Sequence, residues 1–313
     1  MSTAGVLPEK LQFSGHETFP LRQLWLRKAY RAIAEVEADP IASKKVFTDE
    51  AAIRRFGVGK NMVAAIRHWA LACDVLREGS GGTMGFGPIG DFLFGEMAVD
   101  QYLERPATSW LVHWLLAGRA TRSTTWFWIF NRIPEQSFDR SGVVAGLESI
   151  ANQLGVRASQ TTLRRDVEVC IRCYLPRQDS REIDDAAEPL LADLGLISES
   201  PAGTFQFHRG QQQTLPNGVF AFALLEFWKR WEITTGSKQA TLSFEAIAHD
   251  YGSPGRVFKL SENAVAERLI ALEADSTGSI QWTDTAGVRQ VSRHENALTE
   301  PSMYGLLRSA YGR

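Results

Sequence analysis

Long apolar runs are missing from this chain of 313 residues. The longest are Trp110–Gly118, broken by His113, and Phe220–Leu225. Both fall far short of the roughly 20 residues that a helix needs to cross a bilayer. Residues Met1–Lys10 lack a basic stretch leading into an apolar one, so no secretory signal is expected there. Cysteine is scarce: three thiols, an odd number, fit a reducing compartment better than a disulfide framework. A soluble cytoplasmic protein with no membrane partner is expected. An excess of one charge is absent too, with 34 Lys and Arg against 36 Asp and Glu. That balance argues against coating nucleic acid by bulk attraction and leaves room for a local basic face. The glycines of Gly79–Gly90 do not form G-x-x-x-x-G-K-[ST], so a nucleotide phosphate loop is not expected. Asp166 and Glu168 are not followed by a D-x-n-ExK-like strand pattern, which leaves a restriction-type nuclease core unsupported.

What is present predicts a mainly α protein in three parts: 1–95, a helical domain over 96–180, and 181–313. In the first, apolar residues at Leu21, Leu24, Trp25, Ala29, Ala32, Ile33 and Val36 have helical spacing. Thr48 or Asp49 is placed to cap a short helix over Glu50–Phe56. Gly57-Val58-Gly59 makes a tight turn into a third helix, Lys60–Leu76, and Arg77–Phe94, with six glycines, reads as a hairpin. The centre is a bundle rich in tryptophan and phenylalanine, with Asn131–Ser141 as a linker and further helices over Gly142–Leu154 and Ser159–Leu175. Acidic Gln178–Glu188 reads as a solvated connector, followed by a hairpin around Ser200-Pro201-Ala202-Gly203. The last third repeats the opening order. Helices are expected over Gly218–Thr234, Thr241–Tyr251 and Ser261–Ala274, then short strands over Ser279–Thr283 and Val288–Ser292.

Two helices joined by a glycine turn and followed by a hairpin make a winged helix-turn-helix, whose second helix enters the DNA major groove. On a helical wheel Met62, Val63, Ile66, Trp69, Ala70 and Cys73 share one stripe. Lys60, Asn61, Ala64, Arg67, His68 and Leu71 lie opposite, offering cations, an amide suited to an adenine edge and an imidazole. Arg54 and Arg55 would sit near the backbone-contacting edge. Eleven basic against eight acidic residues up to residue 75 make this segment positive. Docking to protein is the competing use of such a face. The corresponding helix of the C-terminal winged-helix-like module carries Glu262, Asn263, Glu267, Arg268 and Glu273. Repulsion from phosphate makes it a poor groove reader and favours a protein interface or structural cap.

Phe13-Ser14-Gly15-His16-Glu17-Thr18-Phe19-Pro20 places a His-Glu pair between aromatics. Two readings are open. The pair can share a metal ion or act as base and orienter. Alternatively, Glu17 or Thr18 caps a helix starting near Pro20 while His16 bonds locally. Cys170-Ile171-Arg172-Cys173 has metal or redox spacing but no second pair, and its helical setting favours buried thiols. His113 reads as a satisfied core histidine.

Several stretches together resemble a family found in gene clusters for DNA phosphorothioation and linked defence against phage, whose best-described members are SspB-type DNA nickases. They are FSGHETFP (Phe13–Pro20) running into Leu21–Leu26, GVGKNM (Gly57–Met62) with Ile66-Arg67-His68-Trp69, Asp100–Leu103, WLVHW (Trp110–Trp114), Phe130-Asn131 and DVEVCIRCY (Asp166–Tyr174). They span residues 13–176, with weaker likeness beyond. The resemblance implies a nicking endonuclease acting on one DNA strand so that sulfur can enter. The partners implied are a cysteine desulfurase, a sulfur-handling ATP pyrophosphatase-like enzyme and an ATPase. Of the motif positions, His16, Glu17 and Asp166 have the chemistry to carry catalysis, with a magnesium or manganese ion activating water. The competing function is a winged-helix adaptor or regulator that recruits the sulfur-transfer partners without cutting.

Overall fold

A computed structural model describes residues 10–36, 39–48, 50–176 and 188–312. Within them the chain is mainly helical, with three small antiparallel sheets. No described helix is long and apolar enough to cross a membrane.

The first helix, α1 (Trp25–Ala34), buries Trp25, Leu26, Ala29, Tyr30, Ala32 and Ile33 along one stripe. It starts four residues later than periodicity predicts. Leu21 and Arg22 are held instead by residues 189–190: Arg22 bridges Pro189, and the Leu21 carbonyl accepts from the Leu190 amide at 3.3 Å. A short α2 (Pro40–Lys45), capped by Asp39 and opened by a proline, was not anticipated. Next come α3 (Ala51–Phe56), ended by Gly57 in the left-handed region (φ 65°), and α4 (Lys60–Ala72). The side chain of Thr48 bonds back to the Lys44 carbonyl, and α3 carries no side-chain cap at Glu50. Asp49, the other expected cap, lies outside the described residues.

The hairpin β1 (Leu76–Glu78) and β2 (Met84–Phe86) follows, but it ends at Phe86. Pro88 opens α5 (Pro88–Phe94), whose Ile89, Phe92 and Leu93 are buried. Proline in a first helical turn loses no hydrogen bond. That signal, with i, i+3, i+4 apolar spacing, outweighs the glycine content that made this stretch read as hairpin to residue 94.

The centre consists of α6 (Pro106–His113), a π-helical turn over Trp114–Arg119, α7 (Thr124–Arg132), a two-residue strand β3 (Ser137–Phe138), α8 (Arg140–Gln153) and α9 (Gln160–Arg172). Strand β3 lies inside the expected linker and edges a sheet with β5 (Phe205–Phe207) and β4 (Ile197–Glu199), whose hairpin turns where predicted. The acidic connector, apart from Glu188, lies outside the described residues.

The last third runs α10 (Asn217–Thr235), β6 (Thr241–Ser243), α11 (Phe244–His249), α12 (Pro254–Val257), α13 (Glu262–Asp275), β7 (Ile280–Thr285), β8 (Val288–Arg293) and α14 (Glu300–Ser309). The predicted helix over 241–251 loses its first turn to β6. Leu242 pairs across to Val291, and Ser243 caps α11 through the Ala246 amide. Ser261, the first residue of the predicted helix over 261–274, caps α13 through the Ala264 amide.

Buried side chains from all three parts form one contiguous apolar cluster. Helix α10 is buried on every side from Gly218 to Leu225. The C-terminal α14 crosses it so closely that a Cβ on Gly218 would lie 2.3 Å from the Leu306 carbonyl oxygen. Gly218→Ala must push the two helices apart. Destabilisation of about 2 kcal/mol is expected, the cost of overpacking a filled contact, read as a lowered urea midpoint with an unchanged m-value.

Candidate functional site

FSGHETFP folds into a tight loop, not a helix cap. Gly15 (φ 114°), Glu17 (φ 48°) and Thr18 (φ 68°) all adopt left-handed backbone, and the Phe19 amide closes a turn on the His16 carbonyl at 2.8 Å. Gly15 is required on two counts. Its φ disfavours any side chain, and a Cβ there would lie 2.5 Å from Nδ1 of His68. The loop thus lies flat on α4, with the Trp69 indole donating to the Phe19 carbonyl at 3.1 Å.

The turn drives His16 inward, where it is 4% exposed. Its Nε2 donates to Oδ1 of Asp166 on α9 at 2.6 Å, across 150 residues of sequence. The amide of Thr18 donates to Nδ1 at 3.3 Å, which requires a lone pair there and so places the proton on Nε2. Thr125, at the start of α7, donates its hydroxyl to the other Asp166 oxygen. Asp166 is 2% exposed. The rings of Trp69, Trp126 and His68 surround His16 with centroids 6.0, 6.2 and 5.7 Å away.

Of the three expected catalytic residues, the fold joins His16 to Asp166 and leaves Glu17 exposed at the surface. The set does not fit a divalent ion. A hard cation takes about six oxygen ligands, whereas this buried pair offers one carboxylate, already accepting from His16 and Thr125. Among the described residues no three His, Cys, Asp or Glu side chains gather closely enough to hold a metal ion. Chemically, the dyad braces the loop against α9. Nothing in the sequence singles out Thr125, which lies beside Thr124 at the edge of an aromatic-rich stretch.

On α4 the expected outward face is cut back. Lys60 and Asn61 are exposed, but His68 (6% exposed) and Leu71 (7%) are buried. The wheel assumed one packed side. In the fold the FSGHETFP loop covers the flank that carries His68, so the second half of α4 is core nearly all round. Arg67 is half-buried and pairs with Glu78, which also accepts from Arg122. Arg54 and Arg55 are exposed at the end of α3, and Arg55 donates to the Val46 carbonyl at 2.9 Å.

Cys170 and Cys173 are buried free thiols, as expected. Burial pushes both up, Cys173 to about 12, so neither forms thiolate near neutrality. His113 is fully buried, with Nε2 donating to the Val257 carbonyl at 2.9 Å and Nδ1 accepting from the Tyr174 hydroxyl at 2.7 Å.

The protein of unknown function family (DUF4007) matches residues 13–311. Two SspB crystal structures superpose on the chain. The magnesium-bound form has a TM-score of 0.82 and 26% identity, and another SspB structure has 0.81 and 25%. Each match covers 97% of this chain and 88% of the other. No curated protein matches it.

Two expectations follow. Asp166→Ala leaves the His16 N–H and Thr125 hydroxyl buried without an acceptor and should cost about 3 kcal/mol. Asp166→Asn keeps a partner for each, its Oδ1 accepting from His16 and its Nδ2 donating to the Thr125 oxygen once that hydroxyl rotates, and chemical denaturation should show a loss of at most about 1 kcal/mol. The second concerns pH. Desolvation lowers both His68 and His113 to about 3 in the fold, with repulsion from Arg122 and Arg67 added at His68, against 6.5 for an ordinary histidine. The unfolded chain therefore takes up the protons first. The stability tied to their burial is complete above about 6.5 and is lost as pH falls toward 3, by up to about 1.4 kcal/mol per pH unit for each ring. His68→Leu should remove one proton's share of that slope between pH 6 and pH 4, roughly, in unfolding free energies measured across the range.

Proposed function

Since the chain belongs to the DUF4007 family, we propose that it is a DNA-acting component of a bacterial DNA phosphorothioation system, cutting one strand so that sulfur can be installed. The observation that carries this reading is its likeness to SspB over 97% of its length. A cysteine desulfurase, a sulfur-handling ATP pyrophosphatase-like enzyme and an ATPase are the partners such a role requires.

The element order at both ends fits a winged helix-turn-helix, and we place DNA docking on the first. At the start, α1, α3 and α4 lead into the β1–β2 hairpin. At the end, α10, β6, α11 and α13 lead into β7–β8, with β6 completing the sheet. We assign duplex contact in the first module to Lys60, Asn61, Arg54, Arg55 and Arg67, with His68 withdrawn into the core. In the second module, the exposed Glu262 and Glu267 of α13 disfavour groove entry.

A second reading, the non-cutting adaptor, is favoured by one specific observation: every polar atom of the His16–Asp166 dyad is already engaged. Supercoiled plasmid incubated with the protein and magnesium or manganese separates the two. Open-circle product is expected, and Asp166→Asn should retain it, because the dyad braces the loop and does not cut. Loss of nicking in that folded variant would make the dyad catalytic. No open circle from the wild type, with duplex binding retained by gel shift, would establish the adaptor. Lys60→Glu with Arg67→Glu should abolish duplex binding at low salt, and unchanged affinity would refute the assigned face.

A further inference from the structure

A basic strip runs along the outer face of α9, the helix whose inner face carries Asp166. From Arg140 to Arg172 the chain has five arginines, no lysine and three carboxylates. Asp166 is buried against His16, and Glu168 accepts from Arg140 Nε at 2.8 Å. Glu148 on α8 accepts from the Gln160 amide at 3.2 Å. Among the described residues no carboxylate pairs with Arg157, Arg164, Arg165 or Arg172. Arg157 and Arg165 have no hydrogen-bond partner there at all, and Arg164 gives a single donor to Gln160, at 3.4 Å. Arg172 stands apart, because its Nη1 reaches the Thr18 carbonyl at 3.4 Å and so helps to hold the FSGHETFP loop.

Helix geometry alone places these side chains. Thr161, Arg164 and Arg165 are three and four residues apart, so they leave one face of α9 within about 6 Å of one another along its axis. The exposed residues of α9 are Gln160, Thr161, Arg164, Arg165 and Arg172, none of them apolar. A protein interface is built around an apolar centre, which this face lacks. Guanidiniums present paired donors that match phosphate oxygens, and hydroxyl and amide groups add the further donors that meet phosphate and sugar. The helix is also braced from within. Asp166 ties it to His16 and Thr125, and Ser159 caps its start through the Thr162 amide. The same loop is bonded to α4 through the Trp69 indole, so α4 and α9 share one braced element.

We propose that Arg157, Arg164 and Arg165, with Thr161, form a second DNA contact, one that grips the phosphate backbone without reading sequence. This rests on the DNA-acting reading above and extends it to a helix of the central bundle that shares the FSGHETFP loop with α4. Phosphate contacts of this kind set register and orientation and leave base readout to α4.

Arg164 and Arg165 are exposed and hold no other element in place, so replacing them in the full chain should leave the unfolding midpoint unmoved. Arg164→Gln with Arg165→Gln should lower the salt-dependence slope of duplex binding by about two. Arg164→Glu with Arg165→Glu should weaken affinity about tenfold or more, equally on two labelled duplexes of unrelated sequence. Lys229→Glu with Lys238→Glu makes the same change of charge at exposed positions on and beyond α10. At about 0.1 M salt, where charges more than about 10 Å away are screened, that pair should shift affinity by no more than about twofold. Wild-type affinity in the Arg164→Glu, Arg165→Glu variant, or an equal loss from the lysine pair, would overturn the proposal and leave the DNA-acting reading standing. A loss confined to one of the two duplexes would overturn backbone contact in favour of base readout. A wild type that binds neither duplex would overturn the DNA-acting reading, and the α9 contact with it.

Discussion

A single hydrogen bond, from His16 Nε2 to Asp166, closes the structure on itself: it draws a loop near the start of the chain onto a helix 150 residues later. Its value comes from its surroundings. A carboxylate 2% exposed is tolerable only when donors replace the lost water, and here an imidazole and a threonine hydroxyl do so. The tryptophans packed around the histidine exclude solvent, and the amide of Thr18 holds its other nitrogen. Tying α9, α7 and the FSGHETFP loop to one point then determines what α4 can expose. The loop lies over His68, and half of a helix that would otherwise face water becomes core.

Asn131 plays the corresponding part at the other side of the central bundle. With one fully buried amide it satisfies the Ala117 and Phe127 carbonyls and the Gly252 amide. It thereby fixes the loop between α11 and α12 on the end of α7. A polar side chain that meets three backbone groups specifies an arrangement that an apolar residue of similar size would leave free to slide. The junction that results carries Arg132 and Arg256 packed on the Tyr251 ring. In both places, a buried polar residue within a motif of the resembled family positions charged surface residues from other parts of the chain.

Much of the architecture was legible from local signals. The glycine at 57, the helix starts at Ser159 and Ser261 and the turn at Ser200–Gly203 all act within a few residues, and each element formed where it was read. Misreadings cluster where a distant segment intervenes. Residues 21–22 left α1 to pair with 189–190, and Thr241–Ser243 left a helix to join β8. The same holds for the site. That His16 and Asp166 matter together could be inferred from their chemistry, but Thr125, the tautomer and the burial of His68 depend on tertiary packing that a helical wheel does not contain.

Distribution of charge is where sequence and fold diverge most usefully. The formal charge of −2 says nothing about where an anion would settle. The exposed Glu262 and Glu267 set the face of α13 against a polyanion, whereas Lys60, Arg54 and Arg55 stand exposed near the start of the chain. Electrostatic focusing of this kind orients an encounter before contact. It would keep a polyanion off α13, leaving that helix available for the protein interface that its composition suggests. A chain of net negative charge can thereby carry a locally basic face without attracting polyanions everywhere.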